Sequence, residues 1–299
     1  MGVALVVNAY ERTYRSVLSR GFFPRLVDAN LTHFEETVAL INNVDDPADA
    51  RSRAEALLAA GEITRFEFVS DHIDRALEHA GLSHRSLRRH PYLLDYGLVM
   101  PHVCESTWLL GWDAETALRT PMNWVEPSVR LLERQPWLFH ASLAWPSPEP
   151  GADYSAEQIG MVDDYSINWG FSDQLFLLRR QDLIGAIYRD FAPMAAARHA
   201  PHPTTFEYRV EAHQRATRRP RATLTTLSYE TNFVPGGVLG RVGSTKFEYE
   251  RMRALYRLEH YVLQRLPARL GPRWSKSATL PVAFRSPPAD TAATSRPSP

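Results

Sequence analysis

Asp113 and Glu115 stand on either side of one alanine, just after the apolar run of "STWLLGWDAETAL". In extended backbone, residues i and i+2 point the same way, so the two carboxylates can address one ion. Carboxylate oxygens suit magnesium or manganese, and such an ion keeps further positions for phosphate oxygens and water. An acid pair around a small residue is also common where a strand simply ends in solvent. What raises this pair above that is its company. Asn8, Tyr10 and Arg12 follow one apolar run, Asn42 and Asn43 a second, and Asp71 a third, while Trp112 borders the acids themselves, and all seven are candidates to contact a substrate. Tyr10 can stack on a base, the amides can bond its edge, and Arg12 can sit near phosphate. Two carboxylates alone repel a diphosphate, and a divalent cation between them removes the conflict.

These residues need a scaffold that brings the ends of separate runs together. "VALVVNAY" (3–10), "TVALINN" (37–43), "ITRFEFVSD" (63–71) and "STWLLGWD" (106–113) have the length and β-branched or aromatic content of buried strands. Between them, "PADARSRAEALLAAG" opens on Pro47 and closes on Gly61, and "HIDRALEHAG" closes on Gly81, so both predict helices. Alternation of strand and helix predicts an α/β fold with a mostly parallel, Rossmann-like sheet flanked by helices. In such sheets ligands collect at the carboxyl ends of the strands, where every candidate residue falls.

Composition narrows the partners. A chain of 299 residues that is 44% hydrophobic can bury a full core. Lys plus Arg equals Asp plus Glu at 34 each, which gives no electrostatic reason to expect nucleic acid. A single cysteine, Cys104, excludes an intramolecular disulfide and a cysteine-rich zinc site, which fits a reducing, cytoplasmic setting. The opening "MGVALVVNAYERTYR" reads as a first strand rather than a signal peptide, and no apolar stretch reaches the roughly 18 residues of a membrane span.

Three of these segments, in this order and at these intervals, resemble family 2 glycosyltransferases. "VVNAYERTYRSVL" is similar to that family's opening V-V-x-P-T-Y-N-R strand, "ALINNVDD" to its V-V-D-D-G-S, and "WLLGWDAETAL" to the strand carrying its D-x-D metal motif. "INWGFSDQLFLLRRQDL" (167–183) is similar to the segment that returns to the sheet on the acceptor side. The likeness implies a GT-A fold: a nucleotide-sugar-binding half over 1–120 and an acceptor-side half with a C-terminal helical segment over 121–285. The Pro-, Ser-, Thr- and Ala-rich end, about residues 286–299, can bury almost nothing and reads as a disordered tail. The likeness also implies transfer of a sugar from a nucleoside diphosphate, a uridine diphosphate sugar first among them, to an acceptor hydroxyl, with inversion and with manganese or magnesium held by Asp113 and Glu115. The acceptor is a glycan, a lipid-linked sugar or a small molecule. The family's base often begins an E-D-x-x-L pattern that opens a helix. "TTFEYRVEAHQ" (204–214) is the nearest match, which makes Glu207 the expected catalytic base, with Asp173 as its competitor. Departures from the pattern are Asn8-Ala9 for Pro-Thr, Asn42 and Asn43 for the base-reading aspartate, Glu115 for the last acid of the motif, and Tyr208 for the Asp after the base.

Other segments bear less on chemistry. "HAPH" (199–202) reads as a proline-broken loop with satisfied or solvent-facing histidines. The arginines at 215, 218, 219 and 221 read as a solvated turn, with an anion contact as the other option. "VPGGVLGRVGS" (234–244) lacks the placement of a dinucleotide fingerprint and reads as a loop, a lid at most. "KFEYERMRALYRLEHYVLQRL" (246–266) has helical periodicity and packs on the core or on a second subunit of a homodimer. Two alternatives remain: a nucleotide-sugar-binding protein of the same fold without turnover, and a nucleotidyltransferase, although the latter would carry glycines that "NAYERTYR" lacks.

Overall fold

The computed structural model describes residues 2–87, 91–144, 158–199, 205–231 and Arg273. The segments 234–244, 246–266 and 286–299 lie outside the described residues. The described residues form ten strands: β1 (Val3–Tyr10), β2 (Glu36–Asn42), β3 (Arg65–Phe68), β4 (Trp108–Asp113), β5 (Thr116–Leu118), β6 (His140–Ala144), β7 (Gln158–Val162), β8 (Tyr165–Asn168), β9 (Leu175–Arg179) and β10 (Arg221–Thr231). They form one sheet in the order β3-β2-β1-β4-β9-β6-β10-β8-β7, with β5 on β10. The pairs β3–β2, β2–β1, β1–β4 and β6–β10 are parallel, whereas β9, β8 and β5 run against their neighbours. The fold is therefore α/β with a mostly parallel sheet, as the alternating pattern predicts.

The helices are α1 (Tyr14–Val17), α2 (Phe22–Asn30), α3 (Pro47–Ala59), α4 (Val69–Ala80), α5 (His84–Leu87), α6 (Asp95–Val99), α7 (Val125–Arg134), α8 (Pro193–Arg198) and α9 (Phe206–Thr217). Their ends follow local chemistry. Asp46 accepts from the Asp49 N–H ahead of Pro47, fixing the start of α3, and Gly81, in left-handed backbone (φ 61°), ends α4. Thr205 caps α9 by accepting from the Tyr208 N–H at 3.2 Å. The third strand is shorter than its sequence suggests, and α4 begins at Val69. Val69, Ile73, Ala76, Leu77 and Ala80 recur at helical spacing and bury or half-bury one face against the sheet, which outweighs the strand character of the preceding run.

Strand alternation sorts the core into two layers. Leu5, Val7, Ala9, Trp108, Leu110 and Trp112 face the layer covered by α2, α3 and α7. Ala4, Val6, Val38, Leu40 and Leu109 face the other, with α4, α6 and Phe206 of α9. Gly111 falls in the second set, where an added Cβ would lie 2.3 Å from the Phe176 ring, so a side chain there is excluded by packing.

Candidate active site

Chain order reverses at β1: the chain moves from β1 through β2 to β3 on one side, and β4 is inserted on the other. The crevice between the carboxyl ends of β1 and β4 is thus the topological switch point of the parallel half. Asn8 and Asp113 are direct register partners across it. By strand parity Asn8, Tyr10, Asn42 and Asp113 all fall on the face that carries α4, α6 and α9. The sequence therefore delivers four of the expected site residues to one edge and one face.

Asp113 ends β4, and its backbone N–H donates to the Gln174 carbonyl at 2.8 Å. The chain then turns so that the Glu115 N–H points back at Asp113 Oδ1 (3.3 Å), and the Tyr10 hydroxyl reaches Glu115 Oε1 at 3.5 Å. Burial, with the nearby charges of Glu115 and Glu207, pushes the Asp113 carboxyl up to about 6. Burial likewise raises the Tyr10 phenol to about 12, helped by Glu115 and Asp113 and opposed by Arg12. Arg12 thus acts on this corner through its charge.

Trp112 corrects the expectation of a substrate contact. One residue before Asp113, it must face the opposite layer, where it is 1% exposed. Its indole N–H donates to the Thr116 carbonyl at 3.0 Å, bracketing the turn that carries the two acids. Trp112 therefore holds the turn of Asp113 and Glu115 in shape from below. Asp71 is not brought to the crevice either. Because α4 starts early, Asp71 is exposed in its first turn, where it accepts from the Ser70 hydroxyl.

Asn42 and Asn43 meet a residue that sequence reasoning missed. Asp95, the first residue of α6 and almost fully buried, accepts from Asn42 Nδ2 at 3.0 Å and from Asn43 Nδ2 at 3.2 Å, and Asn43 also donates to Asn42 Oδ1 at 2.6 Å. Burial raises the Asp95 carboxyl to about 6 against the pull of these hydrogen bonds. Only its place directly after the apolar pair Leu93-Leu94 hinted at it. The next residue, Tyr96, donates its hydroxyl to Asp173 Oδ2.

Asp173 and Glu207 do come together. The Asp173 N–H donates to Glu207 Oε1 at 3.2 Å, in the turn that leads into β9. Burial and the Glu207 charge raise the Asp173 carboxyl well above its ordinary value. Glu207 goes the other way: burial alone would raise it, but the hydrogen bond and charge of His199, with the Asp173 N–H, hold it below the usual carboxylate value. His199 takes the first of the two roles that "HAPH" suggests, a satisfied histidine, paired with Glu207 and Glu211. The arginine cluster is also mostly committed to structure: Arg215 pairs with Glu211, Arg219 with Asp182, and Arg221 donates to Asn168. Arg218, exposed and left-handed at the end of α9, alone matches the solvated turn.

The donors present fit a hard divalent cation. Asp113 and Glu115 supply carboxylate oxygens, and beside them Asn8 Oδ1 is a buried oxygen with no hydrogen-bond partner. Among the described residues no group of three or more His, Cys, Asp or Glu side chains could hold a metal ion. A cavity of about 540 Å³ lined by Arg130, Arg134, Asp163 and Tyr165 lies against α7 on the opposite layer, away from these groups.

No family model and no curated protein sequence matches the chain. Its fold is similar to those of solved glycosyltransferases. Glucosyl-3-phosphoglycerate synthase from Mycobacterium tuberculosis, solved with Mn2+, uridine-diphosphate-glucose and glycerol 3-phosphate, aligns at 12% identity with a TM-score of 0.43, over 86% of this chain and 79% of that one. GalNAc-T7, solved with UDP, GalNAc and Mn2+, aligns at 11% identity and a TM-score of 0.44 over 77% of this chain. TarS of S. aureus aligns at 10% identity and 0.44 over 89%. The chain spans 44% of the length of each of the last two. No helix among the described residues is long and apolar enough to cross a membrane.

Proposed function

We propose that the protein is a metal-dependent glycosyltransferase that takes a nucleoside-diphosphate sugar, with uridine diphosphate as the first candidate carrier, and passes the sugar to an acceptor hydroxyl. The observation that carries this reading is the pairing of Asn8 with Asp113 at the switch point, with Glu115 folded back onto Tyr10. In this reading Asp113 and Glu115 hold a manganese or magnesium ion, which supplies charge neutralisation for the departing diphosphate. Asn8 and Tyr10 line the donor, and Asn42 and Asn43, locked by Asp95, face its base.

Glu207 is the base. A base must be ionised before it can act, and His199 favours that form of Glu207, whereas burial and the Glu207 charge favour the protonated form of Asp173. In the transfer, Glu207 takes the acceptor proton, the acceptor oxygen bonds to the anomeric carbon, and the bond from that carbon to the phosphate oxygen breaks, its electron pair leaving with the diphosphate. Asp173, bonded to the Tyr96 hydroxyl and to Glu207 through its backbone, orients the base.

The test is a thermal-shift panel of UDP, GDP, CDP and ADP with and without Mn2+, on the wild type and on Asp113→Ala. Metal-dependent stabilisation that the variant loses supports the reading, as does release of UDP from a UDP-sugar. Stabilisation indifferent to both metal and variant, or none with any nucleotide, refutes it.

A further inference from the structure

Under Glu207 lies a row of buried charges that sugar transfer does not in itself require. His199, at the C-terminal end of α8, donates its backbone N–H to the Ala195 carbonyl at 3.0 Å, which fixes it against α9. Its ring lies between two carboxylates one helical turn apart, with Nδ1 3.5 Å from Glu207 Oε2 and Nε2 2.9 Å from Glu211 Oε2. Behind it Glu211, with a fully buried side chain, takes Nε and Nη2 of Arg215 at 2.7 Å each, and Arg215 in turn lies 5.7 Å from the Trp169 ring. Charges therefore alternate from Glu207 through His199 and Glu211 to Arg215 and cancel in pairs. Only the outer end is open: the Glu207 side chain is 29% exposed, against 9% for His199.

We infer that His199 is a positioning residue for the transfer, clamping one oxygen of Glu207 with a cationic N–H while the Asp173 N–H holds the other, so that the remaining lone pairs face the acceptor hydroxyl. This rests on the reading of Glu207 as base. His199 is not a proton relay. Burial would lower its pKa, but the hydrogen bonds and charges of Glu207 and Glu211 raise it to about 9, so in neutral solution it already carries its proton. The other titratable groups facing the pair are Arg215 on α9, Asp173 before β9, Tyr96 on α6 and Asp113 on β4. Of these Asp173 and Asp113 are acids. Without the imidazolium, Glu207 keeps only the Asp173 N–H against burial and its negative neighbours, and its carboxyl titrates at higher pH.

The experiment uses the full chain as wild type, His199→Gln and His199→Ala, and measures UDP released from UDP-glucose, UDP-galactose and UDP-N-acetylglucosamine in Mn2+ with water as acceptor. For the best donor, kcat of H199Q is expected to fall on the order of 100-fold, the loss typical of a misplaced reacting group. The donor KM should change little, because His199 touches no donor-binding residue. The acid limb of the kcat/KM profile should move to higher pH, and added imidazole should partly restore H199A. An unchanged kcat, or a loss of kcat with the acid limb unmoved and no imidazole rescue, overturns the inference and leaves the glycosyltransferase reading intact. A wild type that releases no UDP from any donor overturns both. If H199Q does not fold, H199A is purified in imidazole and dialysed; activity lost while the UDP-dependent melting shift persists supports the inference, and loss of fold with activity overturns it.

Discussion

Asp113 carries a conflict between stability and binding that a single substitution can expose. Its carboxyl stands at about 6 in the folded chain against a reference of 3.8, a difference of about 2 units, or about 3 kcal/mol of preference for the neutral form. Because the folded value is the higher one, this contribution is fully present below the unfolded pKa and is lost as pH rises through about 6. At pH 7.5 and in EDTA the wild type therefore holds an ionised acid that its surroundings disfavour. Asp113→Asn keeps the shape and the oxygen that accepts the Glu115 N–H but never ionises. It should be the more stable chain by up to about 3 kcal/mol, which is a rise in Tm of several degrees at roughly 2–4 °C per kcal/mol. The gain should vanish near pH 4, where both chains are neutral at this site. UDP with Mn2+ should reverse the order, raising the Tm of the wild type and leaving Asp113→Asn unmoved. Differential scanning calorimetry at pH 7.5 and pH 4, with EDTA or with UDP and Mn2+, reads all four conditions. A variant no more stable than wild type at pH 7.5 would refute the burial argument, and one that still gains from UDP with Mn2+ would refute the metal assignment.

Three further substitutions probe the supports. Glu211→Gln removes the carboxylate paired with the Arg215 guanidinium, 1% exposed, and should cost about 3–5 kcal/mol in urea denaturation, the usual loss on breaking a buried pair. Gly111→Ala drives a methyl to 2.3 Å from the Phe176 ring, and an overpacked core of this kind should lose about 1–3 kcal/mol by the same assay. Thr205→Ala removes the cap of α9 two residues before Glu207; it should cost about 1 kcal/mol and lower kcat for UDP release while leaving the binding of UDP with Mn2+ intact, as titration calorimetry would show.

The first and second strands and the helix from Pro47 are legible because each rests on local signals: apolar runs, a proline start and a glycine stop. Asp95 and His199 are not. Asp95 lies in a five-residue helix buried on all sides, which has no polar face to give it a period. The prolines around His199 leave open whether it is satisfied or solvent-facing, and its partners are set by α9, whose two carboxylates flank its ring. Trp112 was misread for a different reason. Nearness in sequence to Asp113 suggests nearness in space, yet in a strand the next residue always faces the other layer.

That parity also accounts for the distribution of acids. Every second residue of β1, β2 and β4 faces α6 and α9, so any acid placed on that face near the strand ends shares one low-dielectric edge with the others. The chain answers most of this negative charge with its own groups. Asp95 takes two amides, Glu207 takes an imidazolium, and Glu211 takes an imidazolium and a guanidinium. Asp113 is treated differently, since the groups that favour its ionised form are the backbone N–H donors of Glu115 and Ala114, while Glu115 and Glu207 oppose it. Peptide dipoles stabilise a carboxylate less than a full cation does. A fold that supplies internal cations to Glu207 and Glu211 and only peptide dipoles to Asp113 leaves its affinity for positive charge concentrated at the β1–β4 crevice, the place where a diphosphate could enter only in the company of a metal ion.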